Sequence, residues 1–83
     1  MQNKIPDAKE IGRRLRELRG IRTRTGVARE IGIKASRLGN YELGIAVPPD
    51  DIKIMLADYY NVNLKALFFE PDYHETWQGE QGV

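Results

Sequence analysis

Eighty-three residues hold one domain and leave no room for a second core. There is no cysteine, which excludes disulfides, thiol catalysis and cysteine-type zinc sites and fits a reducing compartment. No apolar run approaches the ~20 residues of a membrane span, and the opening M-Q-N-K-I-P lacks the pattern of a signal peptide. A soluble cytoplasmic protein with no membrane partner is expected.

Thirteen Lys and Arg against twelve Asp and Glu give a net charge of +1, but the distribution is polarised. Residues 1–44 carry eleven positive and five negative side chains, a net of +6, whereas residues 45–83 carry two and seven, a net of −5. The basic half points to a polyanion partner; the alternative is an arginine-rich helix that is merely well solvated.

In chain order, Pro6-Asp7 precedes a first helix, with Asp7 as N-cap or first-turn acid. Ile11, Leu15 and Leu18 fall at i, i+4 and i+7, one apolar stripe on a charged helix, and Gly20 supplies the stop. Thr23 caps a second helix from about Arg24 to Ile31, and Gly32 fits a left-handed turn that a β-carbon would penalise. A third helix runs from Lys34 or Ala35 to Leu43. At 100° per residue, Leu38 and Tyr41 point inward while Ser36, Asn40 and Leu43 share the opposite face, flanked by Arg37 and Gly39.

Gly44 ends that helix, and I-A-V-P-P forms a loop. Asp50 and Asp51 open a fourth helix with Ile52, Met55, Leu56 and Tyr59 on its apolar face. Asn61 suits a left-handed exit, and Asn63 caps a last helix from Leu64 to Phe69. The expected product is all-α: five short helices around one core over residues 1–69, with residues 70–83 a loosely ordered tail.

Thr23 to Gly44, T-R-T-G-V-A-R-E-I-G-I-K-A-S-R-L-G-N-Y-E-L-G, places two short helices on either side of Gly32 with a shared buried face and a small, polar or basic outer strip. A helix with such a strip is suited to a DNA major groove. The segment resembles the Cro/phage-repressor, or XRE-type, helix-turn-helix family, whose pattern reads T-Q-x-x-L-A-x-x-x-G-V-S-x-x-x-I-S-x-Y-E-x-G followed by Pro. Thr23, Val27, Ala28, Gly32, Ile33, Leu38, Tyr41, Glu42, Gly44 and Pro48 occupy those places without a gap. Leu56 to Phe68 is similar to the family's closing helices.

The resemblance implies a lambda-repressor-like DNA-binding domain whose third helix, about 34–43, enters the major groove. Carried over position by position, Ala35, Ser36 and Asn40 then meet base edges, while Arg24 and Lys34 take places that contact the DNA backbone. The chain departs from the pattern in four ways. Lys34 cannot cap a helix as Ser or Thr would. Gly39 sits inside the third helix at a cost of ~1 kcal/mol relative to alanine. The connection from Leu18 to Thr23 is shorter than the family's usual loop, and I-A-V stands where relatives carry Lys or Arg.

The chemistry of the outer strip fits this reading. Asn40 can present a donor and an acceptor together to the N6 and N7 edge of adenine, or be a solvated helix asparagine. Arg37 can fork onto guanine or phosphate, with phosphate favoured because it flanks the strip. Ser36 discriminates poorly, and Ala35 can at most pack on a thymine methyl. Arg22, Arg29 and Lys34 are further phosphate candidates or plain surface charge; Glu42 is expected to pair with a first-helix arginine.

One such unit reads few base pairs, so a two-fold homodimer on double-stranded DNA is expected, with Ile45, Val47, Phe68, Phe69 and Trp77 as interface candidates and Phe68 favoured as core. The expected activity is transcriptional regulation, repression in particular. The alternative is an antitoxin-like module that binds a protein partner through the tail near Trp77. No catalytic role, metal or cofactor is expected: the single His74 has no second ligand at metal spacing, and no nucleophile has a base.

Overall fold

The computed structural model describes residues 5–71. Helix α1 spans Ala8–Arg19; the Asp7 carboxylate accepts from the Glu10 amide at 2.9 Å, satisfying a first-turn N–H that has no helical partner. Helix α2 spans Arg24–Ile31 and begins the same way, with the Thr23 hydroxyl accepting from the Gly26 amide at 2.9 Å. It ends at Gly32, whose φ of 84° is left-handed.

Helix α3 spans Ala35–Glu42. Lys34 adopts the extended N-cap geometry but supplies no side-chain hydrogen bond, so the helix starts at Ala35 without a cap. Leu43, expected inside this helix, forms its C-cap instead. Helix α4 spans Asp50–Tyr60 after Pro49 and exits through Asn61 at φ 58°. Asn63 caps α5, Leu64–Phe68, which stops one residue before the expected Phe69. No strand occurs among the described residues. The described helices are too short and too polar to cross a membrane. Of the tail expected over residues 70–83, Glu70 and Pro71 are described, the Glu70 amide donating to the Lys65 carbonyl at 3.0 Å; residues 72–83, with His74 and Trp77, lie outside the described residues.

All five helices of the described residues feed one core. Ile11 and Leu15 of α1 meet Val27 and Ala28 of α2, Leu38 and Tyr41 of α3, Ile52, Leu56 and Tyr60 of α4, and Leu67 and Phe68 of α5. Each fully buried leucine adds roughly 1.5–3 kcal/mol. Phe68 is buried, as its core reading required, whereas Phe69 is 39% exposed.

Two internal contacts go beyond the sequence expectations. Gly12 lies against the end of α3 so closely that a β-carbon there would overlap the Glu42 carbonyl and stand 2.7 Å from that of Tyr41. Arg14, counted above with the basic surface, is instead buried. Its guanidinium donates to the Ala66, Leu67 and Pro71 carbonyls, each at 3.1 Å, and to Glu10 at 2.9 Å. It satisfies acceptors at the end of α5 that the helix itself cannot. Packing of α1 and α2 on α3 fixes which face of α3 remains outside.

Candidate nucleic-acid interface

Leu38 and Tyr41 are buried, and Ser36, Arg37, Asn40 and Leu43 are exposed. The 100° step of the helix puts the two groups on opposite sides, so Ser36, Asn40 and Leu43 form a strip along the outside of α3. Ala35 is only half-exposed and packs against the core; its methyl has little freedom beyond that contact. The guanidinium of Arg37 sits 5.9 Å from the Tyr41 ring centroid, a cation–π approach that steadies it at the edge of the strip.

A buried carboxylate organises the inner side. Glu42 accepts from Arg19 Nε at 2.8 Å and Nη2 at 3.0 Å, and from Arg24 Nε at 3.3 Å. The expected pair with a first-helix arginine is present. Arg24 adds a second partner from α2, so one carboxylate ties three helices together. The Arg24 side chain runs across Gly39, with its Cδ and Nη1 3.4 Å from the position a β-carbon would take. Gly39, expected beside the outer strip, is buried beneath it. Arg24 still keeps 41% of its side chain exposed.

The remaining arginines divide by use. Arg22 donates to the Leu18 carbonyl at 3.1 Å and lies within 6 Å of both Tyr59 and Tyr60 rings, so it closes the end of α1. Arg13 is held between Glu10 at 2.7 Å and Glu17 at 2.6 Å. Arg29 and Lys34 are exposed and have no ion-pair partner among the described residues. The basic half is thus less free than its charge count implies.

Nearby, Tyr59 donates to Glu30 at 2.6 Å and links α4 to α2; this hydrogen bond raises the tyrosine pKa. Burial, with Glu42 close by, pushes the Tyr60 hydroxyl up to about 12, so it stays neutral in the core.

The sequence of residues 10–67 matches the helix-turn-helix domain family. The chain belongs to that family. Its fold is similar to that of the SOS-response transcriptional repressor LexA from Eubacterium rectale, in a solution structure that shares 24% identity, covers 78% of this chain and 71% of that one, and gives a TM-score of 0.69. No curated protein matches the sequence. Within this helix-turn-helix domain, α2, Gly32 and α3 are the two helices and the turn, in agreement with the Cro/phage-repressor resemblance.

The sequence reading missed Gly12 and the burial of Arg14. A signal for Gly12 existed: it is the one glycine inside the apolar-striped first helix, one residue after Ile11. Arg14 gave none, because the carbonyls it donates to lie more than fifty residues away.

Proposed function

We propose that this protein is a sequence-specific regulator of transcription, a repressor in particular, that binds double-stranded DNA with α3 in the major groove. The single observation that carries the reading is the exposed Ser36–Asn40 strip set back to back with buried Leu38 and Tyr41. Asn40 reads an adenine edge, Ser36 hydrogen-bonds a base or its phosphate, and the Ala35 methyl limits what can stand beside them. Arg29, Lys34 and Arg37 bind phosphate around the strip, and Arg24 adds its charge at the N-terminus of α2. Arg22 is the least suited of the set, since the end of α1 already uses its guanidinium.

Such a domain covers few base pairs, so it acts as a homodimer on two half-sites about 34 Å apart. Exposed Ile45, Val47 and Phe69 supply apolar surface for the pairing. The setting is the cytoplasm. The rival reading, a protein-interaction module acting through the tail near Trp77, rests on residues outside the described ones.

Gel-shift titration over a salt series tests the proposal. Affinity for duplex DNA is expected to fall steeply with salt, and Arg37→Ala and Arg24→Ala each to flatten the log–log slope by about 0.9. Absent or salt-insensitive binding to every duplex recovered from a random pool would overturn it.

A further inference from the structure

Two glycines bring α1 to backbone distance from the end of α3. Gly12 faces the Tyr41 and Glu42 carbonyls, and a β-carbon at Gly44 would stand 2.9 Å from both Cα and Cγ of Lys9. Lys9, Arg13 and Arg16 follow at i, i+4 and i+7, so they project from one side of α1. With Arg19, Gly20 and Leu43 they line a surface groove of about 560 Å³, and Leu43 is the last residue of the exposed α3 strip.

Glu17 and Glu42 also border this groove, but both are spoken for: Glu17 by Arg13, Glu42 by Arg19 and Arg24. Lys9 and Arg16 are exposed and have no ion-pair partner among the described residues. They lie about 10.5 Å apart along the helix axis, on nearly the same bearing. The loop that leaves α3 on this side offers no cation at all: Ile45 is 69% and Val47 48% exposed.

We infer that Lys9 and Arg16 form a second phosphate-binding row, which holds the DNA backbone on the α1 side of the recognition helix. The inference rests on the function proposed above and assigns to it the residues that make the outer contacts. Lys9 acts as a point charge and Arg16 as a two-pronged donor. Both remain solvated, so they act by displacing counterions from the duplex and carry no sequence information.

The experiment compares wild type, the double variant Lys9→Gln/Arg16→Gln, and Lys65→Gln as a control for the loss of a surface positive charge elsewhere on the protein. Each is titrated over a salt series against a mixed-sequence duplex and a duplex that wild type selects from a random pool. The double variant is expected to lose about 1.8 from the log–log salt slope, two contacts at about 0.9 each. Its affinity for both duplexes should drop by the same factor, with helix content and thermal midpoint unchanged. Lys65→Gln should keep the wild-type slope. A double variant with the wild-type slope overturns the inference, as does an equal loss in Lys65→Gln. Wild type that binds neither duplex defeats the function proposed above and takes this inference with it.

Discussion

Glu42 turns its carboxylate inward from the end of α3, and Arg19 grips both oxygens, through Nε at 2.8 Å and Nη2 at 3.0 Å. The glutamate side chain is fully buried and that of Arg19 is 17% exposed, so the pair is little screened by water. Arg19→Ala leaves a buried carboxylate with only the longer contact from Arg24. A loss of roughly 3 kcal/mol is expected by urea denaturation. Arg19→Ala combined with Glu42→Ala should cost clearly less than the sum of the single variants.

The glycines of α1 and α3 should respond in opposite directions. Gly12→Ala drives a β-carbon into the backbone of α3, which cannot yield without moving the helix, and a loss of about 1–3 kcal/mol is expected. Gly39→Ala meets Arg24 at 3.4 Å, an ordinary contact with a flexible side chain, in a helix position with no positive φ. Thermal melts should show a gain of up to ~1 kcal/mol there.

Lys34 separates folding from binding. It has N-cap geometry and no acceptor, so Lys34→Ser supplies the missing hydrogen bond to the first turn of α3. Stability should rise by about 0.5–1 kcal/mol. DNA affinity should fall at the same time, with a salt slope shallower by about 0.9. A variant that gains stability and keeps the full slope would remove Lys34 from the interface.

Asn40 should govern discrimination instead of grip. Asn40→Ala is expected to cost about 1–3 kcal/mol against the preferred base pair and to leave the salt slope unchanged. Selection from a random pool by the variant should then show relaxed preference at one position in each half-site.

Acid should loosen α1. Hydrogen bonds from Arg13, with those of Arg14 behind them, hold the Glu10 carboxyl at about 2, below its usual 4.5, against the opposing effect of burial. A depressed pKa of this kind stabilises the fold above the unfolded-state value, and the gain disappears as pH falls toward the folded one. The stability gap between wild type and Glu10→Gln should therefore be full at pH 6 and vanish between about pH 4.5 and 2. Denaturation midpoints at each pH would show it.

Much of the fold was legible because its punctuation is local. Asp7, Thr23 and Asn63 each reach an amide three residues on, and Gly32 and Asn61 take left-handed angles that few residues tolerate. The apolar spacing of Leu38 and Tyr41 alone fixes the bearing of Ser36 and Asn40 on α3. Helix ends were harder: nothing in the sequence says that Leu43 caps α3 instead of extending it. Charge was the poorest guide. Arg13, Arg14, Arg19 and Arg24 look alike in the sequence, yet one lies in the interior, one is bridged on the surface and two share a buried carboxylate. Such differences depend on neighbours brought close only by folding.

Arg14 reaches from the first helix to carbonyls at the far end of the described chain, Ala66, Leu67 and Pro71. Before those acceptors arrive, the guanidinium lacks the carbonyls that satisfy it in the folded protein. α1 and α5 therefore depend on each other, and a stop codon upstream of Ala66 should loosen the opening helix as well as remove α5.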